Sequence, residues 1–160
     1  MIKIIGAVAI AIACFFAVRE MFDHGRRRLA ECEEFIGLLR HIRTRIGSYS
    51  APLEAIYSDF DSEALARVGF ADSLAQKGFG GALEECADRL AVGDEVLLAL
   101  RNFSSELGCS YREDQLASCD YYISELERAL SECRGESSKR TKLAGTLTVT
   151  FGLMVIIVLI

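Results

Sequence analysis

Long uncharged hydrophobic runs occur near both ends of the 160-residue chain, with no charged residue between Ile4 and Val18 or between Leu143 and Ile160. As α-helices rising about 1.5 Å per residue, the two runs would reach about 22 and about 27 Å, against about 30 Å for the hydrocarbon core of a bilayer. The second run is rich in β-branched residues, but a lone strand in lipid would leave its backbone groups unpaired. The pattern therefore predicts two transmembrane helices, over residues 2–18 and 143–160.

The first run has a second interpretation, a cleaved signal peptide. Lys3 precedes a short apolar stretch, and Ala11-Ile12-Ala13 could serve as the cleavage site. Cys14 follows directly, as a lipid-modified cysteine would, but Ala11 stands where such signals carry a larger aliphatic residue. A retained membrane helix is the favoured interpretation.

Basic residues beside the two runs predict their orientation. Only Lys3 lies beyond the first run, whereas seven basic residues lie on the inner side of the two runs: Arg19, Arg26, Arg27, Arg28, Lys139, Arg140 and Lys142. Because basic flanks stay in the cytoplasm, both termini are expected outside. Residues 19–142 are then expected to form a cytoplasmic domain.

Between the runs, apolar residues recur every three or four positions, which is the spacing of amphipathic helices. A first stripe runs from Leu29 to Ile46 and ends at Gly47-Ser48-Tyr49-Ser50. Start and stop signals then indicate five more helices: one capped by Ser50 with Pro52 in its first turn, one from Asp61 or Ser62 to Lys77 before Gly78, one from Ala82 to Ala91 after a Gly80-Gly81 hinge, one capped by Asp94 that ends at Gly108, and one from Ser110 onward. The predicted fold is all-α, a six-helix cytoplasmic bundle flanked by one N-terminal and one C-terminal transmembrane helix.

The last soluble helix has the clearest pattern. Ser110-Tyr111-Arg112-Glu113 matches a capping box, in which Ser110 and Glu113 satisfy each other's backbone donors. A heptad seam follows, with steps of three and four residues: Leu116, Cys119, Ile123, Leu126, Leu130 and Cys133. Such a seam packs along another helix. Gly135 and two serines are expected to interrupt the helix before the second run.

Charge and composition narrow the function. The chain has 18 basic and 23 acidic residues and a pI near 5.1, which argues against a protein that neutralises nucleic-acid phosphates. The six cysteines include no Cys-x-x-Cys pair, and the only histidines are His24 and His41. The glycines near Gly78 lack the Lys and Ser or Thr of a phosphate-binding loop. We expect no catalytic residues, no cofactor and no metal, and therefore no enzyme.

One surface segment is a candidate for partner binding. Glu113 and Asp114 suit the positive end of a helix dipole, but Arg112 and Gln115 are not required by that role. Exposed polar turns often carry recognition. The candidate residues are Ser110, Arg112, Glu113, Asp114 and Gln115.

Three stretches carry a resemblance to a known family: Leu107 to Gln115, Gly152 to Ile160, and Ala51 to Ile56. Together with the layout of the whole chain, they resemble stage III sporulation protein AB of endospore-forming bacteria. Ala51 stands where the family has a threonine, with one residue fewer between Leu53 and Glu54. Tyr111 replaces the first aspartate of the family's Ser-Asp-Arg-Glu-Asp-Gln.

The resemblance implies a role as a membrane part of the mother-cell complex that forms a channel to the forespore. The soluble domain is similar to the helical cytoplasmic domain of the inner-membrane platform protein of type II secretion and type IV pilus systems. The implied partners are the membrane, the complex's own secretion-type ATPase and further membrane components, with no nucleic acid and no small-molecule substrate. The implied location is the cell membrane, with the domain in the mother-cell cytoplasm.

Two other functions follow from the residues alone. A two-span signalling or scaffold protein could relay a signal by dimerising through the helix from Leu116 to Cys133. A receptor would need a sensing region outside, and the predicted topology leaves about three residues before the first span and none after the second. An enzyme would need a metal or cofactor, and no motif in the sequence indicates a site for one.

Overall fold

The structure, a computed structural model, describes residues 2–48 and 52–159, with side chains for Ile12, Phe16, Arg19, Glu20, and residues 22–48 and 52–135. Within these ranges there are six α-helices and no strand: α1 Ile2–Ser48, α2 Leu53–Ser58, α3 Glu63–Arg67, α4 Phe70–Cys86, α5 Asp94–Glu106 and α6 Arg112–Leu159. A short 3-10 turn, Ala87–Arg89, follows α4. The all-α prediction is confirmed.

The chain divides into two compact units. One is Arg27–Glu132, and the other combines Met1–Arg26 with Cys133–Ile160. Most side chains of the predicted spans lie outside the described residues, as do Ser50, the predicted helix cap, and its neighbour Ala51. Among the residues that the structure describes, no helical stretch has the length and hydropathy that a bilayer crossing requires.

The number of helices differs from the prediction. The predicted first span and first soluble helix fall within α1, and the predicted last soluble helix and second span fall within α6. Gly135 and its neighbouring serines do not interrupt α6, contrary to expectation. A single glycine lowers helix stability by about 1 kcal/mol but does not forbid the helix, and neither stretch contains proline.

In the unit Arg27–Glu132, the two predicted apolar stripes form the core. On α1, the buried residues are Cys32, Phe35, Ile36, Leu38, Leu39 and Ile42. On α6, they are Cys119, Tyr122, Ile123, Leu126, Ala129 and Leu130. The middle of each predicted stripe is confirmed as buried, whereas the end residues Leu29, Ile46, Leu116 and Cys133 are half-buried. Leu38, Tyr122 and Ala129 broaden the buried faces.

Two glycines place the breaks around α4. Gly69, with φ of 78°, separates α3 from α4, and Gly78, with φ of 72° and ψ of −178°, kinks α4 in its middle. The sequence predicted a helix through Gly69 and a hinge at Gly80-Gly81, and both predictions are wrong. α4 then packs against α2, α3 and α5, so this kinked helix is central to the unit.

Aromatic rings connect the core from helix to helix. Edge contacts with centroid distances of 5.0, 6.0, 5.4 and 5.6 Å link, in order, Phe35, Phe70, Phe79, Phe103 and Tyr122. These residues belong to α1, α4, α5 and α6. Such contacts add to the hydrophobic stabilisation of the buried rings.

The helix starts follow local signals only in part. Ser62 caps α3 through its hydroxyl, which accepts from the Leu65 N–H at 3.2 Å, as predicted. Pro52 lies before the first residue of α2 rather than inside its first turn. Gly93, not Asp94, occupies the cap position of α5, so Asp94 is in the first turn. Gly108 has φ of 83°, in the turn where a helix stop was predicted.

Candidate partner-binding corner

The predicted binding residues lie in the turn from α5 to α6, next to the end of α1. Arg112 donates from Nε to the Ile46 carbonyl oxygen at 3.0 Å and from Nη2 to the Gly47 carbonyl oxygen. The last carbonyl groups of a helix have no partner within the helix, and a cation is favourable there. Arg112 therefore stabilises the C-terminal end of α1, a role that the sequence did not indicate.

Gln115 also has an internal role. Its side-chain Nε2 donates to the Ser110 carbonyl oxygen at 2.7 Å, and its backbone N–H donates to the Tyr111 carbonyl oxygen at 2.9 Å. Both bonds close the first turn of α6. Gln115 therefore stabilises the start of α6 through its own side chain, independently of the helix dipole.

The predicted capping box does not form. Among the hydrogen bonds of the described residues, no reciprocal pair joins Ser110 and Glu113. α6 begins at Arg112, so Tyr111 occupies the cap position and Glu113 lies one residue too early for the box.

Three other side chains of this corner remain exposed. Glu113 and Asp114 lie in the first turn of α6, and neither is in an ion pair or side-chain hydrogen bond among the described residues. The Tyr111 ring is 87% exposed. We call Tyr111, Glu113 and Asp114 the acidic corner. Its negative charge suits the positive end of the α6 dipole and is free for a partner.

Glu106 joins the end of α5 to α6, beyond the acidic corner. Its carboxylate accepts from the Ser118 hydroxyl at 2.7 Å and the Tyr122 hydroxyl at 2.9 Å, which joins the end of α5 to α6. These hydroxyls lower the pKa of Glu106. Burial and the bond to Glu106 raise the pKa of Tyr122 to about 12. The sequence did not indicate this cluster, although Ser118 and Tyr122 are spaced to share one helix face.

Two ion pairs hold α1 and α6 side by side. Arg43 and Asp120 make two bonds, from Nε to Oδ1 at 2.5 Å and from Nη2 to Oδ2 at 2.9 Å. Arg40 Nη2 reaches Glu127 Oε1 at 2.5 Å. The bond from Arg43 holds the pKa of Asp120 below its usual range. Asp120 and Glu127 flank the heptad seam, where charged partners of a paired helix are expected, and this signal could have found them.

Cysteines and histidines of the described residues occupy varied positions. Cys32, Cys86 and Cys119 are buried, Cys133 is half-buried and Cys109 is exposed. Burial raises the pKa of the Cys119 thiol to about 11. In the part of the chain that the structure describes, no three His, Cys, Asp or Glu side chains group as metal ligands.

His41 connects α1 to α2. Its Nε2 lies 3.2 Å from the Ile56 carbonyl oxygen and donates to it, and its ring packs against Phe60. The other histidine, His24, is exposed.

Comparison with known proteins gives one match. A search of curated proteins and a search of solved structures both returned no match. The family model of stage III sporulation protein AB matches residues 3–160, which is nearly the whole chain. The chain therefore belongs to the stage III sporulation protein AB family.

Proposed function

We propose that this protein is a non-enzymatic membrane platform of the mother-cell sporulation channel complex and that it docks a cytoplasmic secretion-type ATPase. Family membership supports a role in sporulation. The hydrophobic runs at residues 2–18 and 143–160, with their basic flanks, support two membrane spans around a cytoplasmic domain.

The composition of the acidic corner carries the docking proposal. Because Arg112 and Gln115 already bond to the end of α1 and the start of α6, the proposal places the partner contact on the other side chains of the corner. The free side chains are two carboxylates beside an exposed aromatic ring. This combination suits a basic surface, because carboxylates pair with Arg and Lys and a tyrosine face attracts a cation.

The ATPase would thus present basic residues to the acidic corner. Because the corner is part of α6, a movement of the bound ATPase would be transmitted to α6. The corner lies at the start of α6, Glu106 joins α6 to α5, and the two ion pairs join α6 to α1. Both helices also include a hydrophobic terminal run, since α1 begins at Ile2 and α6 ends at Leu159. In this proposal, the two helices are the connection between ATPase and membrane.

The docking test reverses the free charges and leaves the capping residues intact. The double variant Glu113→Lys/Asp114→Lys should lower recovery of the ATPase in co-purification from sporulating cells by at least tenfold, because like charges would then face each other. A matched control is Glu84→Lys/Asp88→Lys, which changes net charge equally at exposed acids near the end of α4. Equal recovery of the ATPase with both variants would remove the corner from the interface.

Topology can be tested through a natural thiol. Cys109 is exposed in the α5–α6 turn. A maleimide that does not cross membranes should leave Cys109 unlabelled in intact mother cells and label it after permeabilisation, with peptide mass spectrometry as the readout. Labelling in intact cells would place the domain outside and contradict the proposal.

The alternative function, signalling by dimerisation through the heptad seam, is not favoured. Cys119, Ile123, Leu126 and Leu130 are at most 9% exposed within the unit Arg27–Glu132. Dimerisation through the seam would therefore require this core to open.

A further inference from the structure

One face of α1 changes from apolar to charged within the unit that contains Met1–Arg26. Ile12 and Phe16 are 51% and 60% exposed, and they lie one turn apart on the same side of the helix. Arg19, Asp23 and Arg26 follow at 7, 11 and 14 residues from Ile12 and are also exposed. At 3.6 residues per turn, all five residues lie on one face.

The arginines of this face are poorly neutralised within the protein. Arg19 Nε lies 3.9 Å from Asp23 Oδ2, and both side chains are more than half exposed. Arg26 makes no ion pair or hydrogen bond among the described residues. By contrast, five arginines of the other unit reach a carboxylate oxygen within 2.5–2.6 Å: Arg40, Arg43, Arg45, Arg67 and Arg128. The positive charge of Arg26 is therefore available to a ligand from outside the chain.

We propose that this face binds the headgroups of anionic phospholipids. The inference rests on the proposed function, because it requires that α1 contacts the membrane. Ile12 and Phe16 would lie against acyl chains. Arg19 and Arg26 would bind phosphate groups at axial distances of about 4.5 and about 15 Å from Phe16. Arginine near a boundary extends its charged group to the headgroups while its stem stays in apolar surroundings.

The order of residues favours a lipid over another polyanion. Nucleic acid or a soluble phosphate would contact the arginines alone, whereas a lipid would also cover the exposed parts of Ile12 and Phe16. A bilayer surface supplies both environments in the same order, an apolar interior followed by charged phosphates. The ligand is thus a membrane lipid with net negative charge.

The test measures lipid affinity of the full chain in non-ionic detergent. Phosphatidylglycerol should bind more tightly than phosphatidylcholine. Arg26→Gln should weaken phosphatidylglycerol binding about fivefold, and Arg19→Gln/Arg26→Gln about 25-fold, because each basic residue near an anionic surface contributes a similar amount. Arg101→Gln is the matched control, since Arg101 is also exposed and has no ion pair among the described residues but lies on α5. It should leave the affinity unchanged.

Two further arms separate the possible failures. The full chain, reconstituted with phosphatidylcholine alone, should float with the vesicles in a density gradient at alkaline pH. If it floats but binds both lipids equally, the lipid preference is wrong and the membrane anchor stands. If it does not float with vesicles of either lipid, the membrane platform fails together with this inference. If inorganic phosphate displaces phosphatidylglycerol at equal charge concentration, the face binds free phosphate, and the proposal that its ligand is a lipid is wrong.

Discussion

Arg43 and Asp120 face each other across α1 and α6 with two parallel bonds, at 2.5 and 2.9 Å. Exposed single ion pairs add little to stability, but a two-bond pair between a guanidinium and a carboxylate also fixes geometry. Because the residues are 77 positions apart in sequence and lie on α1 and α6, this pair is a long-range contact that fixes one point of the register between the two helices.

Acid should destabilise the unit Arg27–Glu132 through such carboxylates. The pKa of Asp120 is lowered from 3.8 in the folded protein, chiefly by its hydrogen bond to Arg43. Its stabilisation is therefore present above the unfolded pKa and is lost as pH falls through the folded value. We expect the unfolding temperature to decrease as pH falls below about 5 and on through the ordinary aspartate value of 3.8, and less steeply in Asp120→Asn. An unchanged slope in this variant would contradict the role of Asp120.

Two glycine substitutions should have opposite effects. Gly78 has φ of 72° and ψ of −178°, which a side chain does not tolerate, so Gly78→Ala should cost about 1–3 kcal/mol of unfolding free energy. Gly37 lies within α1, and a Cβ there would meet nothing within 4 Å. Gly37→Ala should instead stabilise by about 0.5–1 kcal/mol. Chemical denaturation of both variants provides the comparison, and a stable Gly78→Ala would show that the kink is absent in solution.

Phe79 should be among the most sensitive core positions. It is 3% exposed, and its ring contacts both Phe70 and Phe103. Phe79→Ala should lower the unfolding free energy by about 3–5 kcal/mol, because it leaves a cavity between α4 and α5. Leu98→Ala, at a side chain 59% exposed, should change it by less than about 0.5 kcal/mol. Similar losses in the two variants would contradict this packing.

Arg112 should act on stability rather than on recognition. Arg112→Gln removes the bonds to the Ile46 and Gly47 carbonyl oxygens and should cost about 1 kcal/mol of unfolding free energy. ATPase recovery from cells should remain normal once protein amounts are equalised. Arg101→Gln, at an exposed arginine without an ion pair in the described residues, should leave stability unchanged. If Arg112→Gln lost ATPase binding while its unfolding free energy stayed normal, Arg112 would have to be part of the ATPase interface.

Periodic features of the fold were predictable, because a packed face repeats along a helix. The stripe containing Phe35 and Leu39 on α1 and the seam containing Cys119 and Leu126 on α6 are buried as expected. These residues encode burial locally, through their spacing.

Glycine roles were less predictable because they depend on contacts across the fold. Gly80 and Gly81 do not form the expected hinge. A Cβ on Gly80 would lie 2.8 Å from Ser104 Oγ of α5, and one on Gly81 would lie 2.7 Å from Lys77 Cβ. Close approach, rather than a bend, accounts for these two glycines. The bend occurs at Gly78, which the sequence marked only as a helix stop.

The sequence indicated that the candidate residues lie at the start of a helix, but it did not indicate their internal bonds. Glu113 and Asp114 lie in the first turn of α6 as expected. Arg112 binds carbonyl groups 65 and 66 residues away, and no local pattern indicates where so long a side chain will reach. The predicted capping box does not form because α6 begins at Arg112, one residue later than a helix capped by Ser110 would begin.

The antiparallel pairing of α1 and α6 has a mechanical consequence. The bonded pairs Arg40–Glu127 and Arg43–Asp120 are nested in sequence, so residues 27 and 132 leave the unit at the same end. Force that pulled these two ends apart would unzip the helices, breaking Arg40–Glu127 before Arg43–Asp120. Force between the acidic corner, on α6, and residue 27, on α1, would load both pairs at once, in shear. The unit is thus built to resist a push or pull from its corner far better than a separation of its two attachment points.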